Sequence, residues 1–113
     1  MVSTASLKAK GRRLQQWVRD TLLANHPTLE ADDIKSTAMG QNGEDVQLSP
    51  AARKLIPFSI ECKSRKAVAV YPWYDQAVVN TPKGCEPLLV VKGDHKKPLV
   101  VLDAAFFFSR YKV

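Results

Sequence analysis

Residues 59–77 read SIECKSRKAVAVYPWYDQA. Side chains two apart on a strand share a face, so Glu61 and Lys63 stand side by side on such a strand while Cys62 points the other way. Taken alone, an acid beside a lysine is an ordinary solvated pair that contributes little. It acquires a use through Asp45, in the turn-then-strand stretch 44–48, because the intervening chain is long enough to run through a strand and a short helix and return in an adjacent strand. Two carboxylates from neighbouring strands supply hard oxygen ligands for Mg²⁺, which takes one or two protein carboxylates and fills its octahedron with water and phosphate oxygens. Such an ion acidifies water and offsets the charge that develops on a scissile phosphate, and a lysine beside it orients the water or stabilises the pentavalent transition state. The chemistry expected of Asp45, Glu61 and Lys63 is therefore phosphodiester hydrolysis with Mg²⁺ as cofactor and Mn²⁺ able to substitute.

The elements that must position these groups follow from local patterns. Leu14, Trp17, Val18 and Leu22 recur at helical spacing and predict an amphipathic helix over 6–25, closed by His26-Pro27. A short strand is expected over 34–39, a turn over 40–43 and a second strand over 44–48. Ser49-Pro50 is an N-cap followed by proline at the first helical position, opening a short helix to about Leu55. A strand over 57–63 follows. A helix is expected over 70–80, with Pro72 tolerated in its first turn. Two apolar runs, 87–92 and 98–102, flank the polar stretch 93–97 and predict a hairpin, and Asp103 is placed to cap a last helix over 104–108. The order α-β-β-α-β-α-β-β-α predicts an α/β fold with a sheet between helices.

The 113 residues suit a single domain, 1–113. Seventeen Lys and Arg against eleven Asp and Glu give a net charge of +6, which favours a polyanionic partner. The predicted first helix has no spare apolar face for a membrane, so nucleic acid is the expected partner and membrane is not. The opening MVSTASLKAKGRR lacks the apolar core of a secretory signal, and the expected location is cytoplasmic. Cys62 and Cys85 lack metal-ligand spacing and read as buried, reduced thiols. His26 and His95 each stand alone and suit loop or phosphate-contact roles. Trp17, Trp73, Tyr74 and the run Phe106-Phe107-Phe108 read as core or subunit interface.

GED at 43–45 and ECK at 61–63 resemble the signature of the PD-(D/E)xK nucleases, with Glu44-Asp45 in place of the usual Pro-Asp. The stretches KAKGRRLQQWVRD, STAMGQNGEDVQLSPAARKLIPFSIECKSRK and PLLVVKGDHKKPLVVLD extend the likeness over most of the chain, toward the archaeal-type and phage-encoded Holliday junction resolvases. The resemblance implies a restriction-endonuclease-like core, a mixed central sheet flanked by helices, in a phage or prophage protein that acts as a homodimer on four-way junctions or other branched DNA. It makes Asp45 and Glu61 metal ligands together with the backbone carbonyl of Cys62, makes Lys63 the catalytic lysine, and places Gln76 near the site. It departs at the first helix, where Gln15 stands four residues after Gly11 in the position that holds a glutamate in relatives. Glutamine can hold a water by hydrogen bonding but brings no charge, so a second tightly held ion is not implied. Glu44 is expected to face away from Asp45. Arg12, Arg13, Arg65, Lys66, Lys96 and Lys97 are the candidate DNA-contacting residues. The alternatives are a nuclease of the same superfamily without junction preference, and a basic DNA-binding protein of the same fold without activity.

Overall fold

The computed structural model describes residues 3–37 and 43–112. Helix α1 (Thr4–Asn25) starts two residues before the expected residue 6, because the Ser3 hydroxyl accepts the Ser6 N–H at 3.1 Å and caps it. Leu14 and Val18 are buried on one side of α1, with Gly11 and Gln15 beside them. Trp17, by contrast, is 51% exposed and is not a core residue.

A 3-10 turn (Ala31–Asp33) leads into β1 (Ile34–Ser36), which pairs antiparallel with β2 (Val46–Leu48). Both strands are shorter than expected. Beyond Ser36, Thr37 donates its N–H to the Asp45 carbonyl at 2.9 Å and its hydroxyl to the Glu44 carbonyl at 2.6 Å. Before Val46, the Asp45 N–H turns away from β1 and donates to the Ile60 carbonyl at 3.1 Å, so β2 begins late. Residues 38–39 of the expected strand and 40–42 of the expected turn lie outside the described residues.

Helix α2 (Pro50–Leu55) has the expected bounds. Ser49 caps it by accepting the Ala52 N–H at 3.1 Å, and the same hydroxyl donates to Asp33 Oδ1 at 2.6 Å. Strand β3 (Phe58–Ser64) pairs in parallel with β4 (Glu86–Lys92), and α3 (Val70–Asn80) is the crossover that a parallel pair requires. Strand β5 (Leu99–Val101) returns antiparallel to β4 as the predicted hairpin. Helix α4 (Ala104–Arg110) is capped by Asp103, whose Oδ1 accepts the Phe106 N–H at 2.9 Å, and runs two residues past the expected end.

The result is an α/β fold in which a mixed three-stranded sheet, ordered β3-β4-β5, stands next to the β1-β2 pair with helices flanking it. Alternation along β3 and β4 divides the core. Ile60, Cys62 and Val90 join Leu14, Val18, Ile34, Val46, Ala52 and Ile56 on the α1 side. Leu89 and Val91 are buried on the opposite side, which α3 covers through the buried Ala77. Ile34 and Leu89 are wholly buried, and truncating either to alanine is expected to cost roughly 2–5 kcal/mol. Among the described residues no helix is long and apolar enough to cross a membrane. Cys85 is half-buried rather than buried, with its Sγ 3.6 Å from Arg53 Nη1. Phe106 stacks edge-on against Phe58 with centroids 5.7 Å apart, while Phe107 and Phe108 remain exposed.

Candidate active site

The residue that joins the two sheets is Asp45. Its N–H bonds to Ile60 of β3, its carbonyl accepts from Thr37, and its Oδ2 accepts the backbone N–H of Cys62 at 2.7 Å. The carbonyl of a strand residue leaves the backbone on the same side as its N–H, so the Cys62 carbonyl shares this edge of β3 with the Asp45 carboxylate. Glu61 and Lys63 project on the α3 side. The Glu61 side chain is buried, with the residue only 4% exposed, and Lys63 Nζ lies 3.9 Å from Glu61 Oε1. Asn80, in the last turn of α3, donates from Nδ2 to Glu61 Oε2 at 3.3 Å.

The electrostatics are those of two acids crowded into a partly dry corner. Burial pushes the Glu61 carboxyl up to about 7, and the negative charge of Asp45 adds to the shift against the pull of Asn80 and Lys63. Asp45 is also raised, chiefly by burial, with the Cys62 N–H and the Lys63 charge opposing. The Cys62 thiol is driven upward by burial first and then by both carboxylates, so it stays protonated and is unsuited to act as a nucleophile.

Among the described residues no three His, Cys, Asp or Glu side chains gather as a ready-made cage. The donor set is two carboxylates and one strand carbonyl, which matches an ion that keeps several waters and takes only one or two carboxylates from the protein. A divalent cation also fits the charge pattern, since Asp45 and Glu61 raise each other's energy when both are ionised. The residues present therefore fit Mg²⁺ or Mn²⁺.

The other candidate residues are distributed as follows. Glu44 faces α2, where both its oxygens accept from Arg53 at 2.7 and 3.0 Å, and Arg53 also donates to the Phe58 carbonyl at 2.9 Å. Gln15 is buried one strand away from Asp45, its Oε1 accepting the Ser36 hydroxyl at 2.7 Å. Gln76 is exposed on α3 and makes no side-chain hydrogen bond among the described residues, whereas Asn80, one turn further along the same helix, reaches Glu61. Asn80 was not among the expected site residues, and its only signal in the sequence is this i+4 spacing from Gln76. Arg65 is half-buried at the exit of β3, with Nη1 donating to the Ser64 carbonyl at 2.9 Å, and Lys66 beside it is exposed. Arg12 and Arg13 are exposed on α1, and Lys96 and Lys97 are exposed in the turn before β5. His26 closes α1 through its N–H to the Leu23 carbonyl. Comparison of the chain with protein-family models, with curated proteins and with solved structures finds no match.

Proposed function

We propose that this protein is a divalent-metal-dependent endonuclease of the PD-(D/E)xK type, with a restriction-endonuclease-like core and branched DNA as its substrate. The observation that carries the reading is the meeting of Asp45, just before β2, with Glu61 of β3, beside Lys63. Asp45 and Glu61 would hold Mg²⁺ with the Cys62 carbonyl. When bound, the ion supplies a Lewis acid that offsets phosphate charge and acidifies water.

The chain's own groups do the rest. Asp45 is fixed by the Cys62 N–H, so its second oxygen is directed without a loss of side-chain entropy at each turnover. Asn80 fixes Glu61 in the same way, and a Glu61 carboxyl pushed up to about 7 keeps a proton below that pH in the metal-free protein, which binding an ion would displace. Lys63 is anchored on a strand with its ammonium near Glu61, where it suits orienting the attacking water or stabilising the charge on the phosphate in the transition state. The intact trio argues against an inactive DNA-binding protein.

Symmetric incision of a four-way junction requires two such sites, and a two-fold homodimer supplies them. The test is cleavage of a synthetic four-way junction beside the equivalent linear duplex, each with Mg²⁺ and with chelator. Metal-dependent cutting of the junction in preference to the duplex supports the reading. Equal cutting of both moves it to a nuclease without junction preference, and no cutting of either contradicts it.

A further inference from the structure

A groove of about 550 Å³ opens on the α1 side of the sheet, with Ser64 on its wall one residue beyond Lys63. Lys10, Arg13 and Trp17 line it from α1, spaced so that all three share one helix face, and Lys92, Asp94 and His95 line it from the end of β4 and the following turn. That turn is closed by the Lys96 N–H donating to the Gly93 carbonyl at 3.1 Å, and His95 occupies the left-handed region at φ 58°. Asp94 points back at the helix. Both its oxygens accept from Lys10 Nζ, at 2.9 and 3.0 Å. Its carboxyl is held below the usual range by the Lys10 hydrogen bond first, and the charges of Lys10, His95 and Lys92 add to this against burial. An internal anion thus sits on Lys10 in a groove that Arg13, Lys92 and His95 also line, with Lys92 Nζ donating to the Gly93 carbonyl at 3.3 Å.

The half-exposed indole of Trp17 is the second observation. It stands beside these cations on a helix whose Leu14 and Val18 are buried and whose Leu7, Leu22 and Leu23 are half-buried, so Trp17 is the exposed large apolar side chain of α1. A positively charged groove with an aromatic face is the arrangement that binds single strands, since an unstacked base has a free π-face and a base inside a duplex does not.

We infer that this groove takes a single-stranded nucleic-acid segment, with its phosphates on Lys10, Arg13 and Lys92 and a base stacked on Trp17, and that Asp94 occupies the phosphate position until the strand displaces it. The inference rests on the reading of the chain as a DNA enzyme and deepens it. The branched substrate is one that presents an unpaired segment, as a flap or an opened junction does.

The probe is a fluorescein-labelled dT15 oligonucleotide, titrated in chelator with the full chain and read by anisotropy, with indole fluorescence read in a Trp73→Phe background using unlabelled dT15. Binding is expected to quench Trp17. Trp17→Ala is expected to weaken binding roughly tenfold, with Trp17→Phe restoring most of it. Asp94→Asn is expected to tighten binding several-fold, and Lys92→Ala to reduce the slope of log affinity against log salt by about 0.7. An unquenched indole, a Trp17→Ala affinity within twofold of wild type, or no dT15 binding by the wild type overturns the inference, as does weaker binding by Asp94→Asn. Because chelator removes any need for Asp45, Glu61 or Lys63, a protein that cuts no junction but shows these effects fails as a nuclease only. One that cuts junctions while Trp17→Ala binds dT15 normally fails in this groove only.

Discussion

The Asp45 carboxylate accepts the backbone N–H of Cys62 at 2.7 Å, so one hydrogen bond aligns the acid that precedes β2 with the strand that carries Glu61 and Lys63. It also separates two roles of Asp45 that mutation can distinguish. Asparagine keeps an acceptor for the Cys62 N–H and loses the charge, whereas alanine leaves that donor without its partner. Asp45→Asn is expected to stay within about 1 kcal/mol of wild-type stability, and Asp45→Ala to lose about 1–3 kcal/mol, in urea unfolding with chelator present. Both are expected to abolish cleavage, while Asp45→Asn binds DNA as well as wild type or better.

The raised Glu61 carboxyl makes stability fall with pH. A carboxyl whose folded pKa exceeds its unfolded value binds its proton more tightly in the folded chain, so its stabilising effect is complete below 4.5 and is lost as pH rises to about 7. The loss is about 3–4 kcal/mol at most, from roughly 1.4 kcal/mol per pH unit between the two values. Thermal melts of the metal-free protein should fall over that window and level off above it, and Glu61→Gln should flatten the profile. Added Mg²⁺ should raise the melting temperature of the wild type at pH 8 but not that of Glu61→Gln. A wild-type profile that rises through the same window would contradict the assignment.

Glu44 has a structural partner, and that gives a contrasting variant. Glu44→Gln leaves the buried end of Arg53 with one charge unpaired and is expected to lower stability by about 1–3 kcal/mol, with metal-dependent cleavage per folded molecule unchanged. A specific loss of cleavage without loss of stability would move Glu44 into the site.

What was legible in the sequence was local. The Ser49-Pro50 cap marked the start of α2 because the cap is chemistry within one turn, and the alternation of Glu61, Cys62 and Lys63 assigned their faces because strand geometry requires it. The hairpin joining β4 and β5 was equally local. The reach of Asn80 to Glu61 was not legible, since it depends on how α3 crosses over between parallel strands. Nor was the pairing of Lys10 with Asp94, 84 residues apart, which places a carboxylate inside a basic groove. The early end of β1 and the late start of β2 have the same origin. Asp45 leaves the ladder to bond β3, a tertiary choice that strand propensity does not encode.

The basic surface should be readable through salt. Arg12, Arg13, Lys66, Lys96 and Lys97 are exposed, and each phosphate contact adds about 0.9 to the slope of log affinity against log salt on duplex DNA. Replacing Lys96 and Lys97 together with alanine is expected to lower that slope by about 2. An unchanged slope would make these two lysines plain solvated surface.

Phe108 is 60% exposed at the end of the chain, beside Phe107 and Tyr111, whose rings are 5.1 Å apart. The proposed function needs two symmetric cuts, and on that reading an apolar cluster of this kind is the expected dimer contact. Light scattering at micromolar concentration should give a dimer, and Phe108→Glu a monomer. A wild-type monomer that still makes paired cuts would contradict it.

The central claim is that Asp45, Glu61 and Lys63 form a metal-dependent phosphodiesterase site, and single-turnover cleavage of a four-way junction tests it most directly. With Mg²⁺ the wild type should cut opposed strands, chelator should stop the reaction, and Lys63→Ala should be slower by at least on the order of a hundredfold while Mg²⁺ still raises its melting temperature. Cleavage that persists in chelator, or a Lys63→Ala rate equal to wild type, would contradict the account.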